Sequence, residues 1–319
     1  MISRVASHCF WLGRYLERTE STSRLLFVTR NLSLDASLSI QQCWNPILVV
    51  LGEEDRFRTR FEKSSLDDGE MIERYLTWDD QNPASVTQSL SGARDNARCI
   101  REVISLEAWE AINEMYLWLN SESGRLLYQG HRYDFFRSLR QQCQLCLGVL
   151  RNTMLHDDAF DFIWLGVMLE RAIQTARTLD VHYPSMDSSQ TRDIFEATLW
   201  ISLLRACSAL EPFMKRHPIK MSLSTVSDFL IFEPRFPRSV QFCVQSAHSR
   251  LRDIIPLHLI STPIGNILTQ IRDLESDLRR SQHNRLDPDG IHPLLIRVVD
   301  QLETICAEIE RRLFSMEAP

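Results

Sequence analysis

Glu17, Arg18, Glu20 and Arg24 fall within one stretch, WLGRYLERTESTSRLL (11–26), and Glu170, Arg171 and Arg177 within another, WLGVMLERAIQTARTL (164–179). Carboxylates and guanidiniums at such spacings suit two kinds of chemistry. They form ion pairs with one another, and they grip anionic or amine-bearing substrates through charge-assisted, forked hydrogen bonds. Glu17 and Glu20 also make an ExxE pair, which invites a carboxylate-bridged metal. Di-metal helical bundles use a histidine three residues after the glutamate, and neither Glu17 nor Glu170 has one, so no metal is expected on this stripe. Arg14 and Tyr15 add polar groups in the first stretch, where the second has Val167 and Met168. A substrate site would therefore draw more on the first stretch, with Arg14 and Tyr15 as its binding residues.

Asp157, Asp158 and Asp161 form a DDxxD pattern, by which helical isoprenoid synthases hold Mg²⁺ on a diphosphate. Three carboxylates at i, i+1 and i+4 can bind that ion. Such enzymes need a second acidic helix facing the first, and no (N/D)DxxSxxxE segment is present. The competing reading is a helix start, where acids are favoured by the helix dipole. HExxH, GxSxG, P-loop and GxGxxG motifs are all absent, so nothing calls for a cofactor.

The two stretches that carry the candidate residues are copies of one another. Trp, Leu, Gly, Leu, Glu, Arg, Thr, Arg and Leu recur at the same positions, nine of sixteen. At about 100° per residue, Leu12, Tyr15, Leu16, Thr19, Ser23 and Leu26 share one arc, and the counterparts of these residues are apolar or small. Gly13, Glu17 and Arg24 lie on a different stripe that Gly166, Glu170 and Arg177 repeat. Pairing of the two stripes predicts that Glu17 reaches Arg171 or Arg177 and that Glu170 reaches Arg18 or Arg24.

The repeat extends downstream. Residues 3–31 read as one amphipathic helix, and a second helix over 39–51 with Trp44, Ile47 and Leu48 matches 196–207 with Trp200, Leu203 and Leu204. Residues 52–68 are charged and weakly periodic, enough for a loop or frayed helix. YLTWDDQNPASV (75–86) matches FLIFEPRFPRSV (229–240); in each, a proline ends one helix and a serine caps the next, with Ser85 and Gln88 forming a capping box. Helices are expected over 85–103, 106–120, 133–150, 239–254, 262–281 and 291–315. No segment alternates with period two over a strand length. The expectation is an all-α, internally duplicated bundle: copies over 1–152 and 153–319, of about six helices each, packed about a pseudo-two-fold through the repeat helices.

With 319 residues and a net charge of −6, the chain lacks the basic surplus that nucleic-acid binding requires. No segment reaches the roughly 18–20 apolar residues needed to span a bilayer, and the opening MISRVASHCF has no secretory apolar core. A cytoplasmic protein without a membrane span is expected. The cysteines fall mostly on apolar helix faces as free thiols, and the CxxC of Cys143 and Cys146 has no second ligand pair.

MISRVASHCFWLGRYLERTESTSRLL resembles the opening of the bacterial alpha-E domain family, whose members begin with a Met-Leu-Ser-Arg, Trp-Leu-Gly-Arg-Tyr, Glu-Arg-x-Glu pattern. NPASV, NARCIREVIS (96–105), EAWEAINEMYLWL (107–119), NTMLHDDAFDFIWLG (152–166) and FLIFEPRFPRSV look like further landmarks of that family in order. Val167 and Met168 depart from it, since the second copy usually keeps Arg-Tyr. The resemblance implies company with circularly permuted ATP-grasp proteins, and with transglutaminase-like proteases. From it follows an expected role in ATP-dependent amide or peptide bond formation, as helper, substrate holder or second enzyme. A free-standing Mg²⁺ enzyme acting on a diphosphate through Asp157, Asp158 and Asp161, and a purely structural interaction protein, are the alternatives; whether the chain is itself a catalyst stays open at this point.

Overall fold

Every described element is helical. The computed structural model describes residues 3–35, 38–186, 193–217, 221–259, 261–283 and 288–314. The first half contains α1 (Ser3–Asp35), α2 (Ile40–Val50), α3 (Glu54–Arg60), α4 (Gly69–Trp78), α5 (Val86–Cys99), α6 (Leu106–Asn120), α7 (Glu122–Gly130) and α8 (Arg132–Thr153). The second contains α9 (Asp158–Met186), α10 (Asp193–Ala206), α11 (Leu210–Arg216), α12 (Leu223–Phe232), α13 (Val240–Ile254), α14 (Gly265–His283) and α15 (Pro288–Ile309). The fold is all-α, with no strand among the described residues.

The two helices that carry the repeated stretches, α1 and α9, pack directly on one another and hold the rest together. α1 also packs on α5 and α8, and α9 on α13 and α15, while α2 and α10 each touch both. A single hydrophobic cluster runs from Ala6 to Ile309 through both halves. The amphipathic expectation for α1 is corrected here: from Leu12 to Leu26 nearly every residue is buried, including Glu17, Thr19, Glu20, Thr22 and Ser23. A helix buried all round must satisfy its polar side chains internally. Thr19 donates to the Tyr15 carbonyl at 2.7 Å, Ser23 to that of Thr19 at 2.6 Å and Thr178 to that of Gln174 at 2.6 Å. Hydroxyls that reach back one turn let small polar residues replace apolar ones inside a core.

The helix count exceeds the expected six per half. Residues 52–68 contain α3 and a 3₁₀ turn at Lys63–Asp67 in place of a loop or frayed helix. Charge hides the helix in the sequence, because Phe57 alone anchors it, fully buried against Phe61 and Tyr75 with ring centroids 4.7 and 5.0 Å away. α11 stands at the corresponding place in the second half, with buried Phe213 for Phe57. α7 has no counterpart among the described residues of the second half; Ser121 caps it by accepting from the Gly124 N–H.

The two Pro-x-Ser turns form as expected with one difference. Ser85 accepts the Gln88 N–H at 3.2 Å and Ser239 the Phe242 N–H at 3.1 Å. The Ser85 cap is this single bond; the full reciprocal box instead opens α2, between Ser39 and Gln42, and α12, between Ser222 and Thr225. No helix among the described residues is long and apolar enough to cross a membrane.

Candidate functional site

Adjacent residues on a helix point about 100° apart, so Glu17 cannot pair with Arg18 nor Glu170 with Arg171. Each glutamate takes the arginine of the other helix. Arg171 donates to Glu17 from Nε at 2.9 Å and Nη2 at 2.7 Å, and Arg18 donates to Glu170 from Nε at 2.7 Å and Nη2 at 3.1 Å. The two forks are related by exchange of the helices. So are two backbone contacts beside them: a Cβ added at Gly13 would meet the Ile163 carbonyl oxygen at 2.0 Å, and one at Gly166 that of Phe10 at 2.2 Å. Glycine at these points lets α1 and α9 touch closely enough for the short forks to form.

Beyond the forks the two networks diverge. Around Glu17, the turn before α13 supplies Arg238, which donates to Glu17 at 2.8 Å and to Glu20 at 2.8 Å. Arg24 pairs with Glu20 one turn away, and Arg171 and Thr175 donate to the Pro237 and Arg238 carbonyls, docking that turn. Glu17 and Glu20 are wholly enclosed. Burial alone would raise the Glu17 carboxyl, but Arg171 and Arg238 outweigh it and hold the group below the usual carboxylate range. Burial and the nearby guanidiniums of Arg238 and Arg140 press Arg24 downward. An arginine so placed stays charged at neutral pH.

Around Glu170, Arg14 takes the part that Arg238 plays at Glu17, donating from Nε at 2.8 Å, and Gln174 adds a bond at 3.4 Å. Against burial, Arg18 and Arg14 hold the Glu170 carboxyl well below its ordinary value, while Glu170 raises Arg14 despite burial. The turn before α5 carries Ala84 at the place corresponding to Arg238. A methyl group cannot fill that volume, and a cleft of about 230 Å³ opens there, bounded by Arg14, Arg18, Glu170, Gln174, Pro83 and Ala84 on the inside. Arg56, Arg177 and Glu303 stand toward solvent, the last two paired with each other, while buried Glu53 holds Arg56 and accepts from the Tyr75 hydroxyl at 2.6 Å. Four guanidiniums (Arg14, Arg18, Arg56, Arg177) thus face three carboxylates (Glu53, Glu170, Glu303), leaving one positive charge.

Of the residues singled out in the sequence, Arg14, Arg18, Glu170 and Arg177 meet at this cleft. Glu17, Glu20, Arg24 and Arg171 belong to the closed network behind it. Tyr15 is not at the cleft: its ring covers Gly92 of α5, where an added Cβ would meet it at 2.9 Å, and packs tilted against Trp11 with ring centroids 5.3 Å apart. Tyr15 thus lines α5 and not the cleft, although the Arg18 guanidinium that does line it lies over the Tyr15 ring at 5.7 Å. Arg238, Glu53 and Glu303 escaped sequence reasoning. The one available signal for Arg238 was the contrast between Pro-Ala-Ser and Pro-Arg-Ser in otherwise matching turns.

The Asp157, Asp158 and Asp161 pattern is split among separate tasks. Asp157 accepts the N–H of Ala159 at 3.0 Å and of Phe160 at 3.4 Å, capping α9. Asp161, largely buried, pairs with Arg250 at 2.6 Å. No group of three or more His, Cys, Asp or Glu side chains converges on a point that could hold a metal among the described residues. Cys143 and Cys146 lie inside the core of α8; burial raises the Cys143 thiol well above its ordinary value and pushes Cys146 up to about 12. Thiols in that state are not nucleophiles.

A family described as a predicted alpha-helical domain with a conserved ER motif, Alpha-E, matches residues 1–314. Glu17-Arg18 and Glu170-Arg171 are two such dipeptides, and the exchange of forks gives both a physical reason: each supplies one acceptor and one donor to the same crossing. The chain is 25% identical over 326 residues to uncharacterised proteins of Mycobacterium bovis and of two strains of Mycobacterium tuberculosis, covering 96% of this chain and 35% of each relative. It therefore spans about a third of the length of the curated relatives it matches. No solved structure matches it. On the match over 314 of its 319 residues, the chain belongs to the Alpha-E family.

Proposed function

We propose that this chain is a substrate-positioning component of a cytoplasmic ATP-grasp amidoligase system, and that the Arg14, Arg18 and Glu170 cleft holds the substrate. The observation that carries the reading is the asymmetry of two otherwise matching networks. One is closed by Arg238; the other is left open at Ala84, where Arg14 and Arg18 share the single carboxylate of Glu170 and leave one positive charge. Both central glutamates are saturated by arginines and held ionised, which suits binding and orientation better than proton transfer. A small molecule carrying a carboxylate and an amine matches the mixed lining, with its carboxylate on Arg18 and its amine toward Glu53 or Glu303. Activation to an acyl phosphate falls to the ATP-grasp partner that the family resemblance implies, with a transglutaminase-like protease as a further neighbour that it implies. The longer relatives leave room for such functions on the same polypeptide.

The test is a coupled ADP-release assay with an ATP-grasp protein of the same organism. Addition of the chain raises the partner's amide-forming turnover, and Arg18→Ala or the cleft-filling Ala84→Gln removes most of the gain. ATP turnover by this chain alone, or a partner indifferent to its presence, overturns the proposal.

A further inference from the structure

A second cleft, of about 560 Å³, lies between the C-terminal part of α1, α8 and α10, away from the Glu170 site. Its volume falls in the range of ligand pockets, roughly 300–1,000 Å³. Two arginines line it, Arg140 and Arg205, and no aspartate or glutamate does among the described residues. Neither arginine has an ion pair or hydrogen-bond partner there, and the Nε of Arg140 is buried without one. This is unlike the α1–α9 crossing, where every buried guanidinium meets a carboxylate.

Arg140 is held by stacking. Its guanidinium lies over the Phe27 ring at 4.3 Å, and Phe27 in turn packs on Tyr133 with ring centroids 5.0 Å apart. Cation–π contact offsets part of the desolvation of the charge while leaving the N–H donors unused. Burial presses the Arg140 guanidinium downward, Tyr133 opposes this in part, and the neighbouring Arg137 adds to it. An anion in the cleft would relieve both effects. Val28, Leu32 and Ile201 give the cleft an apolar wall, and the Asn31 amide and Ser202 hydroxyl add polar groups to it.

We infer that this cleft binds an anionic ligand with an apolar body, a phosphate monoester or carboxylate whose oxygens are gripped by Arg140 and Arg205 while an aryl or acyl group rests on Val28, Leu32 and Ile201. The inference stands apart from the ATP-grasp reading, since binding needs no partner. Isothermal titration of the whole chain with phenyl phosphate, benzoate and inorganic phosphate tests it. At least one aryl anion binds saturably and about tenfold or more tighter than inorganic phosphate, and Arg140→Leu and Arg205→Leu each weaken it by about tenfold or more. Preference for phenyl phosphate or for benzoate tells which anion the site takes. Thermal melts guard against a folding artefact: Arg205 is exposed, so Arg205→Leu melts with the parent, and Arg140→Leu melts with or above it because an unanswered charge has been removed. No saturable binding of either aryl anion, binding unchanged in both variants, or a lowered melt for Arg140→Leu overturns the inference.

Discussion

Gly13 and Gly166 sit across from each other at the α1–α9 crossing, each closing on a backbone carbonyl of the opposite helix, 2.0 and 2.2 Å from where a Cβ would stand. Alanine in a helix interior is worth about 1 kcal/mol over glycine by propensity. Here the clash wins, because a carbonyl in a helix cannot swing aside as a side chain can, and overpacking of a tight core costs about 1–3 kcal/mol or more. Gly13→Ala is expected to lose roughly 2 kcal/mol net in urea denaturation, with the Glu17 and Glu170 forks lengthened. Gly148, within α8 and with nothing inside 4 Å of its added Cβ, supplies the control. Gly148→Ala gains about 0.5–1 kcal/mol. A neutral Gly13→Ala would mean the helices do not touch as described.

The identical Trp-Leu-Gly and Leu-Glu-Arg residues made the crossing legible in the sequence, and stripe geometry narrowed the partner of Glu17 to Arg171 or Arg177 and that of Glu170 to Arg18 or Arg24, of which the structure selects Arg171 and Arg18. The all-α fold was equally legible, from the absence of period-two segments and from the paired Pro-x-Ser turns. Three things were not. α1 looks amphipathic because Glu17, Glu20 and Thr22 lie off the arc of Leu12, Leu16 and Leu26, while the arginines that meet Glu17 and Glu20 let that side of the helix sit in the core as well. α3 and α11 each depend on one phenylalanine in a charged or mixed segment, too weak a periodicity to detect. The cleft depends on Ala84 standing opposite Arg238, a difference in side-chain volume whose meaning appears only once the turns are seen docked on α1 and α9.

Glu17 offers the sharpest test of the closed network. It is fully buried, with Arg171, Arg238 and the Ser21 hydroxyl at 3.5 Å as partners. Glu17→Gln leaves buried Arg171 without a carboxylate partner and Arg238 with Glu20 alone, and breaking one side of a buried pair costs about 3–5 kcal/mol. Arg56 at the cleft mouth is half exposed and pairs only with Glu53, so Arg56→Ala shifts stability by no more than about 1 kcal/mol. Chemical denaturation of the two variants side by side is expected to separate structural from accessible members of the Glu and Arg set. Equal losses would place both in one undivided lattice.

Acid should unfold the protein through the same carboxylates. Glu17 and Glu170 have folded pKa values below the unfolded value of about 4.3, so the unfolded chain takes up their protons first as pH falls. Their stabilisation is complete above about pH 4.3 and is lost progressively as pH drops toward their depressed folded values. Melting temperature is therefore expected to be flat in this contribution from pH 7 to about 5 and to fall steeply below. Glu170→Gln, less stable at neutral pH, has a shallower acid limb. Parallel limbs for parent and variant would show that Glu170 is not held ionised by Arg14 and Arg18.

Magnesium and diphosphate decide whether the DDxxD segment does chemistry. Asp157 spends one carboxylate oxygen on the Ala159 and Phe160 N–H groups, and Asp161 is turned into the Arg250 pair. Binding Mg²⁺ through all three aspartates would require Asp161 to leave a largely buried ion pair, a loss that the surface position of Asp157 and Asp158 does not offset. Millimolar Mg²⁺ with inorganic diphosphate is therefore expected to leave the melting temperature unchanged, whereas a ligand at 100 times its Kd would add about 2.7 kcal/mol. Asp157→Asn retains a capping oxygen and is expected to melt within a degree or two of the parent, while Asp157→Ala loses about 1 kcal/mol as the cap goes. A Mg²⁺-dependent rise in melting temperature that vanishes in Asp157→Asn would reverse the assignment, making these aspartates ligands of a diphosphate-bound metal and the chain a free-standing enzyme.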